Sequence, residues 1–242
     1  MSDLIKVSLT KNGEVVFCSK YIKLEPIAPS LARKFIFERS TSSFPVLEAG
    51  DLLTLTICFV TRLKQEVFYL GLEIYILEFG QSLNQKEFWL YGNICNCENM
   101  NYSQGEVDVF KSWQDGHEIK FNSLHVSSIQ KLDYIGASLY YSGLSKEIID
   151  SNEFLIDLSV VKVEIDLFYT IAYSLVGERG YFGHDFHTFR DCLLEVYIGS
   201  GFNKGISIKF KGRSCLTSSE VNLLLDDIAR EFSKYGFNVL FI

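Results

Sequence analysis

His184, Asp185 and His187 place two imidazoles and a carboxylate close together, and Asp191 adds a second carboxylate one helical turn beyond His187. Such groups support two kinds of chemistry. Imidazole and carboxylate bind a metal or move a proton. A carboxylate carried on a rigid helix makes charge-assisted, sometimes bidentate, hydrogen bonds inside a cationic pocket. The metal reading has little behind it: His184 and His187 are i,i+3 with one nearby carboxylate, and no histidine follows residue 187. His117 and His125 have no Asp or Cys at ligand spacing, and the Cys95–Cys97 pair lacks a second pair. A metal-dependent enzyme using His184, Asp185 and His187 is therefore the minor alternative. The expectation is no catalytic residue, no metal and no cofactor.

These residues need a turn and a helix to position them. Tyr181-Phe182-Gly183 reads as a tight turn feeding a helix from about Asp185 to Tyr197. Phe186, Phe189 and Leu193 share one stripe of it; His187, Asp191 and Leu194 share another, with Arg190 between. One stripe suits a core and the other suits a partner.

The surrounding order predicts an α/β domain over residues 151–242. A strand is expected at Val160–Ile165, then a helix capped by Asp166 that buries Leu167, Phe168, Ile171, Ala172 and Leu175. Ile206–Lys211 is expected as a second strand. Thr217 and Glu220 read as a capping box before a helix that buries Val221, Leu224, Leu225, Ile228 and Phe232. Gly236 suits the C′ position, and Phe237–Ile242 is the last strand. Helical connections between strands predict a three-stranded parallel sheet.

Residues 1–150 read as a separate β-rich domain, a sandwich or a strongly bent sheet. Asn12-Gly13 marks a type I′ hairpin inside residues 4–18. Leu52–Leu63, Val67–Phe79 and Phe88–Cys97 are long apolar strands, and Glu106–Phe110, Glu118–Phe121 and Lys131–Tyr141 are further strand candidates. The polar segment Ser145–Phe154 is the expected linker.

Net charge is -7, which argues against nucleic acid as a partner and suits a basic protein. No stretch approaches the ~18 apolar residues of a membrane helix, and the first residues carry no signal-peptide pattern. Six cysteines without a disulfide spacing fit reduced thiols and a cytoplasmic location.

The motif Tyr181–Leu193, YFGHDFHTFRDCL, resembles the inhibitory helix of the barstar family, small inhibitors of bacterial ribonucleases. Two further anchors are Ile165-Asp166-Leu167, and Arg230-Glu231 followed by Gly236 and the terminal strand. The resemblance covers residues 156–242. It implies a barstar-like domain that acts as an immunity protein or antitoxin, occluding the active site of a nuclease toxin, a basic ribonuclease. It implies toxin contacts from Tyr181, Asp185, His187, Arg190, Asp191, Leu194 and Glu231, with Asp191 in the place of the scissile phosphate. His187 stands where the family has a carboxylate, and Arg190 where it often has Trp. A regulatory or scaffold protein without nuclease inhibition is the alternative implied by those departures.

Overall fold

The computed structural model describes residues 3–26, 32–38, 45–83, 86–98, 102–124, 128–200 and 205–242. The chain forms two compact units, Met1–Ile119 and Lys120–Ile242.

The first unit is one antiparallel sheet with a helix. Its strands are β1 (Ile5–Lys11), β2 (Glu14–Ser19), β3 (Ile22–Pro26), β4 (Ala32–Glu38), β5 (Leu52–Val60), β6 (Glu66–Gln81) and β7 (Glu87–Glu98), in the order β2-β1-β5-β6-β7-β4-β3. Asn12 and Gly13 both have positive φ, at 54° and 82°, as the hairpin turn demands. Sequence neighbours β2 and β3 lie at opposite ends of that order, so the sheet must curl. Phe17 of β2 packs on Phe37 of β4 and Phe88 of β7 (centroids 5.8 and 5.1 Å), and Ser19 Oγ donates to the Glu38 carbonyl at 2.6 Å. The helix α1 (Gln104–Gln114) closes one end: Phe110 stacks on Phe59 at 3.9 Å, and Gln114 Oε1 accepts from the Leu4 and Ile5 amides.

The second unit holds α2 (Ser128–Ser142), β8 (Glu153–Asp157), α3 (Glu164–Val176), α4 (Phe186–Ser200), β9 (Ser207–Lys211), α5 (Ser219–Lys234) and β10 (Asn238–Phe241). Its sheet is parallel, in the order β10-β9-β8. Phe154, Ile156, Ile208 and Phe210 alternate into the core. The α5 end is a complete Schellman motif: the Phe237 amide donates to the Phe232 carbonyl (3.2 Å) and the Gly236 amide to Ser233 (3.1 Å), with Phe232 and Phe237 in ring contact.

Several expectations are corrected. The fold class expected from the sequence, a β-rich domain followed by a barstar-like one, does not hold. The chain is a seven-stranded antiparallel sheet with a helix, followed by a helix-led unit containing a three-stranded parallel sheet. Glu106–Phe110 lies in α1 and Lys131–Tyr141 in α2, while Phe121 opens a short 3-10 turn. Their aromatic and β-branched residues suit strands, but the side chains that bury recur at helical spacing: Val107, Phe110 and Trp113 in α1; Lys131, Tyr134, Ile135 and Ser138 in α2.

The segment expected as a linker runs into the start of β8, whose Phe154 and Ile156 are core, whereas the expected strand Val160–Ile165 covers the last residue of a 3-10 turn and the start of α3. The units meet before α2, not near residue 150. Asp166 is not the cap of α3. It sits at the third helical position, 1% exposed, where its carboxylate accepts from the Lys162 and Val163 amides (2.9 and 3.1 Å) and pairs with Lys131. Ser218, not Thr217, caps α5, accepting from the Val221 amide at 3.3 Å.

Candidate functional site

The helix α4 is started by Asp185. Its carboxylate accepts from the Thr188 amide at 2.8 Å and from Thr188 Oγ1 at 2.9 Å. Thr188 Oγ1 in turn accepts from the His184 amide at 3.0 Å. Partial burial by itself pushes the Asp185 carboxyl upward, but the hydrogen bonds from Thr188 and the nearby His184 outweigh it and hold the group below its ordinary value. Gly183, at φ +94°, lies so close to Phe189 that a Cβ would come 2.5 Å from its backbone nitrogen. A side chain there would push the turn off the helix.

The inner face of α4 is Phe189, Cys192, Leu193 and Val196, all fully buried. Phe189 packs edge-on against Phe232 of α5 at 5.2 Å. This anchoring turns His187, Asp191, Leu194 and Ile198 outward in one stripe, with Tyr197 beside it; all are exposed. Asp191 makes no hydrogen bond or ion pair among the described residues, so its carboxylate is available.

The expected contact residues separate into two groups. His187, Arg190, Asp191 and Leu194 lie exposed on α4, as the spacing predicts. Tyr181 and Glu231 do not join them. Tyr181 is 3% exposed, its hydroxyl 3.0 Å from His184 Nδ1, its amide donating to Ser142 Oγ and its carbonyl accepting from Ser145 Oγ. Burial pushes its phenol up to about 12. Glu231 is 4% exposed and clamped by Arg190 (3.1 Å) and Lys234 (2.6 Å). Asp185 is exposed, but its oxygens serve the helix start. Tyr181 and Glu231 are braces behind the face, and Asp185 is a cap at its end.

Sequence reasoning missed Tyr197 and Ile198, which extend the exposed apolar patch beyond Leu194. Ile198 continues the His187/Asp191/Leu194 spacing by one turn and was legible from it. As for metal chemistry, His184 faces Tyr181 and Asp185 faces Thr188. No group of three or more His, Cys, Asp or Glu side chains able to hold a metal ion occurs among the described residues. No helix among them is long and apolar enough to cross a membrane.

A scan against protein-family models finds no match, and no curated protein matches. Among solved structures the chain is similar to nitrilotriacetate monooxygenase component B from Mycobacterium thermoresistibile, at 8% identity and a TM-score of 0.26, over 43% of this chain and 72% of that one.

Proposed function

We propose that the chain is a protein-binding inhibitor that blocks a basic nuclease, with Asp191 entering the nuclease's phosphate site. The observation that carries the reading is the outer face of α4: an exposed carboxylate with no partner among the described residues, next to Leu194, Tyr197 and Ile198, on a helix whose opposite face is fully buried. Rigid presentation matters because a carboxylate that need not be ordered on binding loses less entropy when it meets Arg, Lys or His side chains. The flanking apolar residues suit a contact that excludes water around the charge. The class of partner is supported by the likeness of the Tyr181–Leu193 motif to nuclease-inhibiting helices, and by the chain's net charge of -7, which speeds encounter with a basic protein. Six cysteines in no disulfide support a reducing compartment such as the cytoplasm.

The test titrates the purified chain into a panel of basic bacterial ribonucleases and deoxyribonucleases, reading cleavage of fluorogenic RNA and DNA. The parent should inhibit at least one. Asp191→Ala and Asp191→Asn should fold as the parent does and lose on the order of 2–5 kcal/mol of binding, because the nuclease's cations would be left buried without a partner. Inhibition of none of the panel, or equal inhibition by the Asp191 variants, overturns the proposal.

A further inference from the structure

The proposed function gives Asp191 a role and His187 none. Yet the two are equally placed. Both are exposed on the outer stripe of α4, one helical turn apart, and neither side chain makes a hydrogen bond or ion pair among the described residues. The other polar groups near them are committed. His184 Nδ1 lies 3.0 Å from the Tyr181 hydroxyl, Asp185 accepts from Thr188, and Arg190 is held by Glu231 at 3.1 Å. Glu195 is half-buried one turn beyond Asp191, and so two turns from His187, about 12 Å along the helix. This face therefore presents one imidazole with a single free carboxylate within a turn of it. Side chains at i and i+4 have Cβ atoms about 5–6 Å apart and lean the same way along the helix. A divalent ion about 2.0–2.2 Å from an imidazole nitrogen and from a carboxylate oxygen bridges such a gap. A pocket of Arg and Lys alone does not account for the pair. It satisfies the carboxylate, but it offers the imidazole no acceptor and repels it once protonated. A divalent ion takes electron pairs from both.

We propose that His187 and Asp191 together ligate a divalent transition-metal ion held in the active site of the partner nuclease. The proposal rests on the nuclease-inhibitor reading and narrows it to enzymes whose catalytic ion has open coordination positions. No group of three or more His, Cys, Asp or Glu side chains gathers to hold a metal among the described residues, so α4 supplies two ligands and the partner supplies the rest. An ion of the zinc, cobalt or nickel kind suits this pair, because magnesium and calcium take oxygen ligands and leave imidazole aside. Once both ligands are in place, the ion has no position left for the scissile phosphate or for the attacking water, and cleavage stops. The Phe186 ring, 6.5 Å from the His187 ring, and exposed Leu194 border the pair with apolar surface that keeps water from the ion.

The first test titrates cobalt(II) alone into the full chain and reads paramagnetic broadening of amide signals by NMR, which separates α4 from ions on exposed thiols. Broadening should centre on His187 and Asp191. His187→Ala and Asp191→Ala should each raise the local dissociation constant about tenfold or more. Asp191→His places two imidazoles at the same spacing and should keep it. No local broadening, or broadening unchanged in both alanine variants, overturns the proposal and leaves inhibition through Asp191 alone standing. The second test uses metal-dependent nucleases loaded with cobalt(II). The parent and Asp191→His should inhibit and change the absorption spectrum of the bound ion, and Asp191→Ala should do neither. If Asp191→His fails as Asp191→Ala does while the parent inhibits without a spectral change, the carboxylate meets Arg and Lys instead; the ligation is overturned and the nuclease reading holds. Local cobalt(II) binding with inhibition of no nuclease overturns the nuclease partner, and with it the reading on which the proposal rests.

Discussion

Arg190 Nε lies 3.1 Å from Glu231 Oε1, so the cation next to Asp191 in sequence is held by a buried carboxylate on the neighbouring helix. Burial alone pushes the Glu231 carboxyl upward, but Lys234 and Arg190 together hold it below its ordinary 4.5. A depressed folded value means the stabilisation is present above about 4.5 and is lost as pH falls through the lower folded value. Glu231→Gln should therefore cost about 1–3 kcal/mol near neutral pH, and the gap between variant and parent should close in acid. Denaturant unfolding at several pH values measures this. The same variant frees Arg190 to shield Asp191, so it should also weaken nuclease inhibition while D191N shows no further loss on top of it.

Lys131 and Asp166 form an ion pair with both side chains almost fully buried, joining α2 to α3. Removing one partner of such a pair is far more costly than replacing both. Lys131→Met should destabilise the second unit by roughly 3–5 kcal/mol, and adding Asp166→Asn should recover part of the loss. A fragment of residues 120–242 should unfold cooperatively. One of residues 152–242 lacks α2 and leaves Asp166 without its cation, so it should be unfolded or molten by near-ultraviolet circular dichroism. A fully cooperative 152–242 fragment would remove α2 from the core of this unit.

What the sequence disclosed follows from where signals are local. The stripe His187/Asp191/Leu194, the Asn12-Gly13 hairpin and Gly236 at the end of α5 are settled by residues within a turn or two, and the spacing suffices for each. The misplaced features depend on distant partners. Lys131 marks a solvent-facing position by type, and nothing nearby reveals the carboxylate 35 residues away that allows its burial. Glu231 reads as a surface acid until Arg190 arrives from 41 residues upstream. The strand β8 hides among Asp150, Asn152 and Glu153, because alternating burial over five residues is a weak pattern.

The buried hydroxyl of Tyr181 rests against His184, which leaves the ring no surface to offer a partner. Tyr181→Phe should keep the packing, lose one hydrogen bond worth about 0.5–1.5 kcal/mol, and leave inhibition unchanged. Unfolding curves and inhibition measured on the same preparation separate this brace from a contact residue. A variant that is stable yet fails to inhibit would return Tyr181 to the binding face.

The thiols should fall into two classes. Cys192 is buried in the inner face of α4, and burial, reinforced by the nearby Asp191 and Glu195 charges, pushes its thiol up to about 12. Cys18, Cys95 and Cys215 are exposed and in no disulfide. Because the thiolate is the reactive form, Cys192 is both inaccessible and protonated near pH 8, and it should react with a disulfide reagent only as the chain unfolds. In denaturant without reductant all six cysteines should titrate. In native buffer the exposed three should react first and Cys192 last, as read by mass spectrometry of quenched samples. Early labelling of Cys192 would mean that α4 opens readily from α5, and a helix that does so could not hold Asp191 in the fixed position that the proposed inhibition requires.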